Sequence, residues 1–222
     1  LHKAIRRQRQ MCIRDRYISN LEQNQFKYDL FLIGGQDLIE FITKIDFAVL
    51  DFIRNTLSSS FMDYIMPIIT DFGSGGLLWI AVGVIMFCTE KYRRCGASVL
   101  IGLLLCLVLG NIILKPLIGR MRPCWINEGI DMLVRIPRDY SFPSGHTLAV
   151  FTTAFIIFGY SKRLGIPILV LACLIGFSRM YLYVHYPTDV LGGIVLAALI
   201  AWSVRKFVNG KIFTRIFRKF ED

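Results

Sequence analysis

Charged and titratable side chains stand at the ends of apolar runs in this chain, where burial makes charge expensive. Tyr140 to Thr147 reads Tyr-Ser-Phe-Pro-Ser-Gly-His-Thr and opens directly into the apolar run Leu148 to Tyr160. Pro143 sets the backbone for a helix start, Ser144 and Gly145 leave free amides there, and His146 places a titratable ring beside them. A helix N-terminus offers unsatisfied N–H groups and a positive dipole end, so the stretch is an anion site with a proton donor. Alone, Pro-Ser-Gly-His is as readily an ordinary N-cap. Its company argues otherwise: Lys115, Arg122 and Pro123 lie upstream, and Ser178, Arg179, His185 and Asp189 downstream. The chain has three histidines, and His146 and His185 both sit at a segment end beside serine, arginine or aspartate.

The elements that must position these residues are hydrophobic. Of 222 residues 55% are apolar, and the mean hydropathy is +0.53, beyond a typical soluble domain. The expected fold class is therefore all-α, a polytopic membrane helical bundle of about five spanning helices preceded by interfacial or re-entrant helices. Leu77–Thr89, Ala97–Leu114, Thr147–Tyr160, Ile166–Val184 and Val190–Val204 are the expected spans. Leu30 to Ser58 carries too many charges to cross, and Phe47, Leu50, Ile53 and Leu57 recur at helical spacing, which predicts an amphipathic helix in the interface. Phe61 to Thr70 contains Pro67 and predicts a short or re-entrant helix ending in the turn Asp71 to Gly76. Gly193 and Ala197 give the last helix a small face for close packing.

The net charge of +10 would suit a nucleic-acid partner were it not so unevenly placed. Leu1 to Arg16 holds six of the 26 Lys and Arg against one acid, half the net charge. Within it, Met11-Cys12-Ile13-Arg14-Asp15-Arg16 looks like the translation of a DNA-sequencing adapter, so 1–16 is set aside as a suspected non-native leader. The expected organisation is 17–45 as lead-in, 46–208 as the membrane domain and 209–222 as a basic cytoplasmic tail. No nucleic-acid patch remains, and the bilayer is the expected partner; nothing in the sequence sets an oligomeric state. The cysteines form no Cys-x-x-Cys pair or Cys/His cluster, which argues against a disulfide framework or a zinc site.

With five alternating spans, Lys91, Arg93, Arg94, Lys162, Arg163, Arg205 and Lys206 share one side, which the positive-inside rule makes cytoplasmic. Lys115 to His146 and Arg179 to Asp189 then share the other side. Arg120, Arg135 and Arg138 also fall there, and a loop of this length would tolerate them without a function.

Three motifs complete the reading. Lys115 to Pro123 fits KxxxxxxRP, Pro143-Ser144-Gly145-His146 fits PSGH, and Ser178-Arg179 through His185 to Asp189 fits SRxxxxxHxxxD. Together they resemble the three-part signature of the type 2 phosphatidic acid phosphatase superfamily, over about Asp46 to Val208. The resemblance implies a membrane lipid phosphatase. Lys115, Arg122 and Arg179 would hold the phosphoryl oxygens, with Ser144 and the Gly145 amide completing the cradle. Three cations against about two negative charges, at roughly 1.5–3 kcal/mol per charge-assisted contact, can bind the group and favour its transition state.

His185 would be the nucleophile, forming a phosphohistidine, and Asp189 would hold its tautomer. Pro187 forbids one continuous helix through His185 and Asp189, so a turn must bring them together. His146 would protonate the leaving group and then activate water. No carboxylate cluster suits Mg²⁺ or Ca²⁺, which predicts metal-independent hydrolysis without cofactor. Short length and an outward site resemble enzymes that convert undecaprenyl diphosphate to undecaprenyl phosphate. Phosphatidylglycerophosphate or phosphatidate is the alternative substrate. Intact His146, His185 and Asp189 argue against a non-catalytic lipid-binding or transport protein, and the spans argue against a vanadate peroxidase.

Overall fold

The computed structural model describes residues 36–127 and 129–210. The suspected leader, most of the lead-in and nearly all of the basic tail lie outside the described residues. Within them the chain is a helical bundle whose apolar residues face in two directions. Inward, Leu148, Val150, Phe151 and Ala154 of one helix meet Trp79, Cys106, Ala172, Ile175, Ala197 and Ile200 from the surrounding ones. Outward, Leu77, Ile85, Leu104, Ile112, Ile166, Leu191, Val195 and Trp202 are all at least half exposed. An exposed apolar shell around a packed core is what a bilayer solvates and water does not.

Helix α1 (Gln36–Leu57) is amphipathic in an unusual sense. Leu50 and Ile53 are buried against the bundle together with Asp46, while Leu38, Phe41, Ile45 and Phe52 point outward. Helix α2 (Ser60–Asp71) starts at Ser59, whose Oγ accepts from the Met62 amide at 3.3 Å, and contains Pro67. A turn follows at Ser74–Gly76, where Gly76 takes φ +70°, a conformation that glycine adopts without steric penalty.

Helices α3 (Leu77–Cys88) and α4 (Arg93–Leu105) pack as a close pair. A Cβ on Gly96 would lie 2.2 Å from the Phe87 amide nitrogen, so only glycine permits this approach. The α4 backbone continues as a π-wound stretch, Cys106–Leu114, and one further α turn, α5 (Lys115–Ile118). Wide π turns are uncommon and concentrate at functional sites; this one ends at Lys115. After α6 (Pro123–Ile126), an irregular segment leads to α7 (Gly145–Tyr160), α8 (Lys162–Tyr181) and α9 (Pro187–Val208).

The largely helical region Glu90–Ile126 and helices α8 and α9 are long and apolar enough to cross a membrane, and α3 and α7 are shorter apolar helices. This agrees with the expected bundle. Helix α8 begins at Lys162 rather than at the expected Ile166. Gly165 packs against the Phe158 backbone, where a Cβ would come within 2.3 Å, and this tight corner lets Lys162 and Arg163 form the first turn instead of a linker.

The central helix is α7, flanked by α4, α8 and α9. At its far end, Ser98 Oγ lies 3.1 Å from Tyr160 Oη, which donates to Asn209 Oδ1 at 3.3 Å, joining α4, α7 and the end of α9. Lys91, Arg93, Lys162, Arg163 and Lys206 sit at or near helix ends on this side by topology. The motif residues occupy the opposite end.

Candidate active site

Four chain segments meet at that end. Lys115 arrives from the π-wound stretch, Arg122 from the start of α6, Arg179 from the last turn of α8 and His146 from the first turn of α7. His185 lies in the α8–α9 turn, which requires an uncommon backbone. Tyr183 takes φ +57°, a strained conformation for an aromatic residue, and its hydroxyl donates to Asp51 Oδ1 at 2.7 Å. The Arg179 carbonyl accepts from the amides of Val184 at 3.2 Å and His185 at 3.3 Å, so the cation and the imidazole are fixed to one piece of backbone. Helix α9 starts at Pro187 and carries Asp189 in its first turn, the geometry that the proline required.

These residues enclose a cavity of about 670 Å³. Its polar end is formed by Lys115, Arg122, Asp139, Gly145, His146, Arg179 and His185, and its walls by Ile80, Leu100, Leu103, Leu104 and Leu107. Lys115, Arg122, Arg179 and His185 are all buried. Three cations this close repel one another and lose hydration, so an anion among them is stabilised by both effects.

Asp139 supplies that anion within the protein. Its carboxylate bonds the Lys115 ammonium and accepts from Arg122 Nη2 at 2.8 Å, while its carbonyl accepts from Arg122 Nε at 2.7 Å. Partial burial alone would raise the Asp139 carboxyl, but Arg122 and Lys115 outweigh it and bring it down to about 2. Arg179 has a different environment. Its Nη1 donates to Thr70 Oγ1 at 2.7 Å, and its Nε is a buried donor with no partner. An unpaired buried N–H is costly, and a bound phosphoryl oxygen would satisfy it.

His185 is held at both ring nitrogens. Nε2 lies 3.0 Å from Arg122 Nη1, and Nδ1 lies 3.5 Å from Asp189 Oδ2 and 3.4 Å from Ser141 Oγ. A guanidinium only donates, so Nε2 must accept and the proton resides on Nδ1, facing Asp189 and Ser141. Burial first, then Arg122, Arg179, Lys115 and His146, push the imidazole well below its ordinary range, so it is neutral. His146 faces the α2–α3 turn, with Nε2 3.4 Å from Ser74 Oγ. A Cβ on Gly73 would come within 2.9 Å of the ring, so that turn must be bare for His146 to occupy the cavity.

Six of the eight residues expected from sequence thus line the cavity, and Asp189 contacts one of the six. Ser144 is the exception in orientation: it is buried at the start of α7, its Oγ accepts from Thr147 Oγ1 at 2.9 Å, and it does not line the cavity. Asp189 stands behind His185 rather than in the cavity. Sequence reading missed Ser141, whose hydroxyl donates to Asp189 Oδ2; its position just before the PSGH motif was the available signal. It also missed the pairing of Asp139 with Lys115 and Arg122. Arg120, which a loop was expected to tolerate freely, is bound to Asp46 at 2.6 Å and to Asp189 at 2.7 Å. The free-loop reading of Arg120 fails because both acids that hold it are buried. Among the described residues, no three His, Cys, Asp or Glu side chains gather as a metal site.

An all-helical bundle with apolar spans and a polycationic pocket at one end defines a class, the integral membrane proteins that handle anionic lipids. Residues 96–213 match the PAP2 superfamily. An undecaprenyl-diphosphatase of Sulfolobus acidocaldarius is 30% identical over 172 residues, 77% of this chain and 80% of that relative. The crystal structure of Aquifex aeolicus LpxE superposes with a TM-score of 0.64 at 26% identity, covering 73% of this chain and 95% of the other. That of a transmembrane PAP2 type phosphatidylglycerolphosphate phosphatase from Bacillus subtilis gives 0.57 at 25% identity, covering 89% and 94%. The chain belongs to the PAP2 superfamily, and it is a membrane lipid phosphatase of that family.

Proposed function

We propose that the protein hydrolyses undecaprenyl diphosphate to undecaprenyl phosphate through a phosphohistidine, without a metal ion, at the non-cytoplasmic face. The observation that carries this reading is the cavity itself: three cations and two histidines at one end, leucine and isoleucine walls along the rest. A lipid with a doubly charged head and an apolar chain matches both halves. The similarity to an undecaprenyl-diphosphatase supports the choice of lipid. The phosphatase domain assigned to 46–208 contains every residue used, and the basic helix ends opposite the site support the outward orientation.

In the first half-reaction the terminal phosphoryl group displaces Asp139 from Lys115 and Arg122 and also engages Arg179. Arg122 turns its Nη1 from His185 to the phosphoryl oxygens, and the Nε2 lone pair so released attacks phosphorus as the bridging P–O bond breaks. His146, in its protonated form, gives its proton to the departing lipid phosphate. Asp189 and Ser141 hold the Nδ1 proton as positive charge develops on the ring. Neutral His146 then takes a proton from water, whose oxygen attacks the phosphohistidine and releases inorganic phosphate and His185. Lys115, Arg122 and Arg179 supply the positive charge that a metal would otherwise bring, which supports the metal-free route.

Phosphatidylglycerophosphate is the second reading, favoured by the likeness to the Bacillus subtilis structure. Phosphate release in detergent with EDTA, compared across undecaprenyl diphosphate, phosphatidylglycerophosphate and phosphatidate, tests the choice. The first should be fastest by kcat/KM; a higher value for either other lipid would reject it.

A further inference from the structure

Asp46 is a carboxylate with no place in the cavity, on a helix whose outer face is apolar. It is 1% exposed, and its two oxygens bond Arg120 and Thr188. Oδ2 accepts from Arg120 Nη2 at 2.6 Å and from the Thr188 hydroxyl, and Oδ1 accepts from the Thr188 amide at 3.1 Å. Arg120 donates through Nη1 to Thr188 Oγ1 and to Asp189 Oδ1, each at 2.7 Å, and its Cζ lies 4.0 Å from the centre of the Tyr186 ring. One guanidinium therefore bridges the acid of α1 and the acid behind His185.

The consequence is directional. Asp189 Oδ1 is committed to Arg120, which fixes the carboxylate plane, and Oδ2 is left facing Ser141, the Tyr186 amide at 2.9 Å and His185 Nδ1. Two buried carboxylates near one another would repel without a cation between them, and Arg120 is that cation. Removing it frees Oδ1 and leaves the plane held through Oδ2 alone, by Ser141 and the Tyr186 amide.

We propose that Asp46 and Arg120 are positioning residues, a relay through which helix α1 sets the orientation of Asp189 and hence of His185. It rests on His185 as the nucleophile. Neither residue touches the phosphoryl group, so the relay acts on turnover rather than on binding. An acid on α1 thereby couples the seating of that helix to catalysis.

The test is steady-state phosphate release by full-length protein in detergent, with a lipid diphosphate, for Asp46→Asn, Arg120→Gln and Arg120→Lys, each also combined with Asp189→Asn. Asp46→Asn should lower kcat about 10-fold and leave KM within about twofold, because the loss is confined to the transition state. Arg120→Gln should lose about 30-fold and Arg120→Lys recover part of it, since an ammonium can still neutralise both acids. In the Asp189→Asn background, Asp46→Asn should change kcat by less than about twofold, the signature of residues acting through one group. A further 10-fold loss in that background, or a normal kcat for folded Asp46→Asn, overturns the relay. Should Arg120→Gln fail to fold, Asp46→Asn and Arg120→Lys still decide. Full activity in His185→Ala overturns the nucleophile and the relay together; an inactive His185→Ala beside a normal Asp46→Asn overturns the relay alone.

Discussion

Arg122 holds the Nε2 atom of His185 at 3.0 Å through the same guanidinium that grips Asp139. The cation that would bind phosphate thus also caps the attacking lone pair, which comes free when the guanidinium turns to the phosphoryl oxygens. Only a planar fork can serve the Asp139 carbonyl, the Asp139 carboxylate, the Val184 carbonyl at 2.7 Å and the imidazole at once. Arg122→Lys should keep the charge and lose this geometry. The expected result is a fall in kcat/KM of about 100-fold, near 3 kcal/mol, measured by phosphate release.

Asp139 occupies two of the three proposed phosphate ligands, Lys115 and Arg122, in advance. Because its carboxyl is held at about 2, it stays ionised throughout the neutral and mildly acidic range and competes with any entering anion. Asp139→Asn removes that competition. Inorganic phosphate should inhibit the variant about 3- to 10-fold more strongly than the wild type, the range expected for weakening one exposed charge contact. Unchanged inhibition would mean that Asp139 leaves the cations at no cost.

The neutral state of His185 has a definite pH signature. Burial and four neighbouring groups that oppose its charging keep the folded imidazole below its ordinary value, whereas the unfolded chain regains that value. The unfolded state therefore takes up the extra proton as pH falls below about 6.5, and its contribution to stability is present at higher pH and lost below that point. Nitrogen-15 NMR of histidine-labelled protein in detergent should show no imidazolium signal from His185 between pH 8 and pH 6. Protonation within that interval would contradict the buried, cation-flanked site.

Gly96 tests the packing that carries Lys115. A side chain at this position has no room beside the Phe87 backbone, so α3 and α4 must separate. Gly96→Val should destabilise the bundle by about 2 kcal/mol or more, the range for overpacking against rigid backbone. Thermal unfolding in detergent measures it. A melting temperature equal to the wild type would mean that the pair is looser than described.

The motif residues were legible because chemistry limits their types: histidine, arginine and lysine at apolar ends are too costly to be incidental. The helices were legible because apolar runs of spanning length have few alternatives. Other features had no local signal. The Asp139 pairing joins residues 24 positions apart across an irregular segment. Arg120 looked like loop charge because its partner Asp46 is 74 residues away and lay on a helix read as interfacial. The orientation of Ser144 depends on Thr147 competing for its oxygen, which spacing alone does not decide.

The central claim is that His185 carries the phosphoryl group. The most direct test is to mix purified protein with a lipid diphosphate labelled in its terminal phosphate, quench, and assay for acid-labile, base-stable label on the protein. Wild type should show label on His185, His146→Ala should accumulate more of it because a lipid phosphate leaves without a proton more readily than water attacks without a base, and His185→Ala should show none. Label persisting in folded His185→Ala, or absent from both wild type and His146→Ala while phosphate is released, would contradict the account.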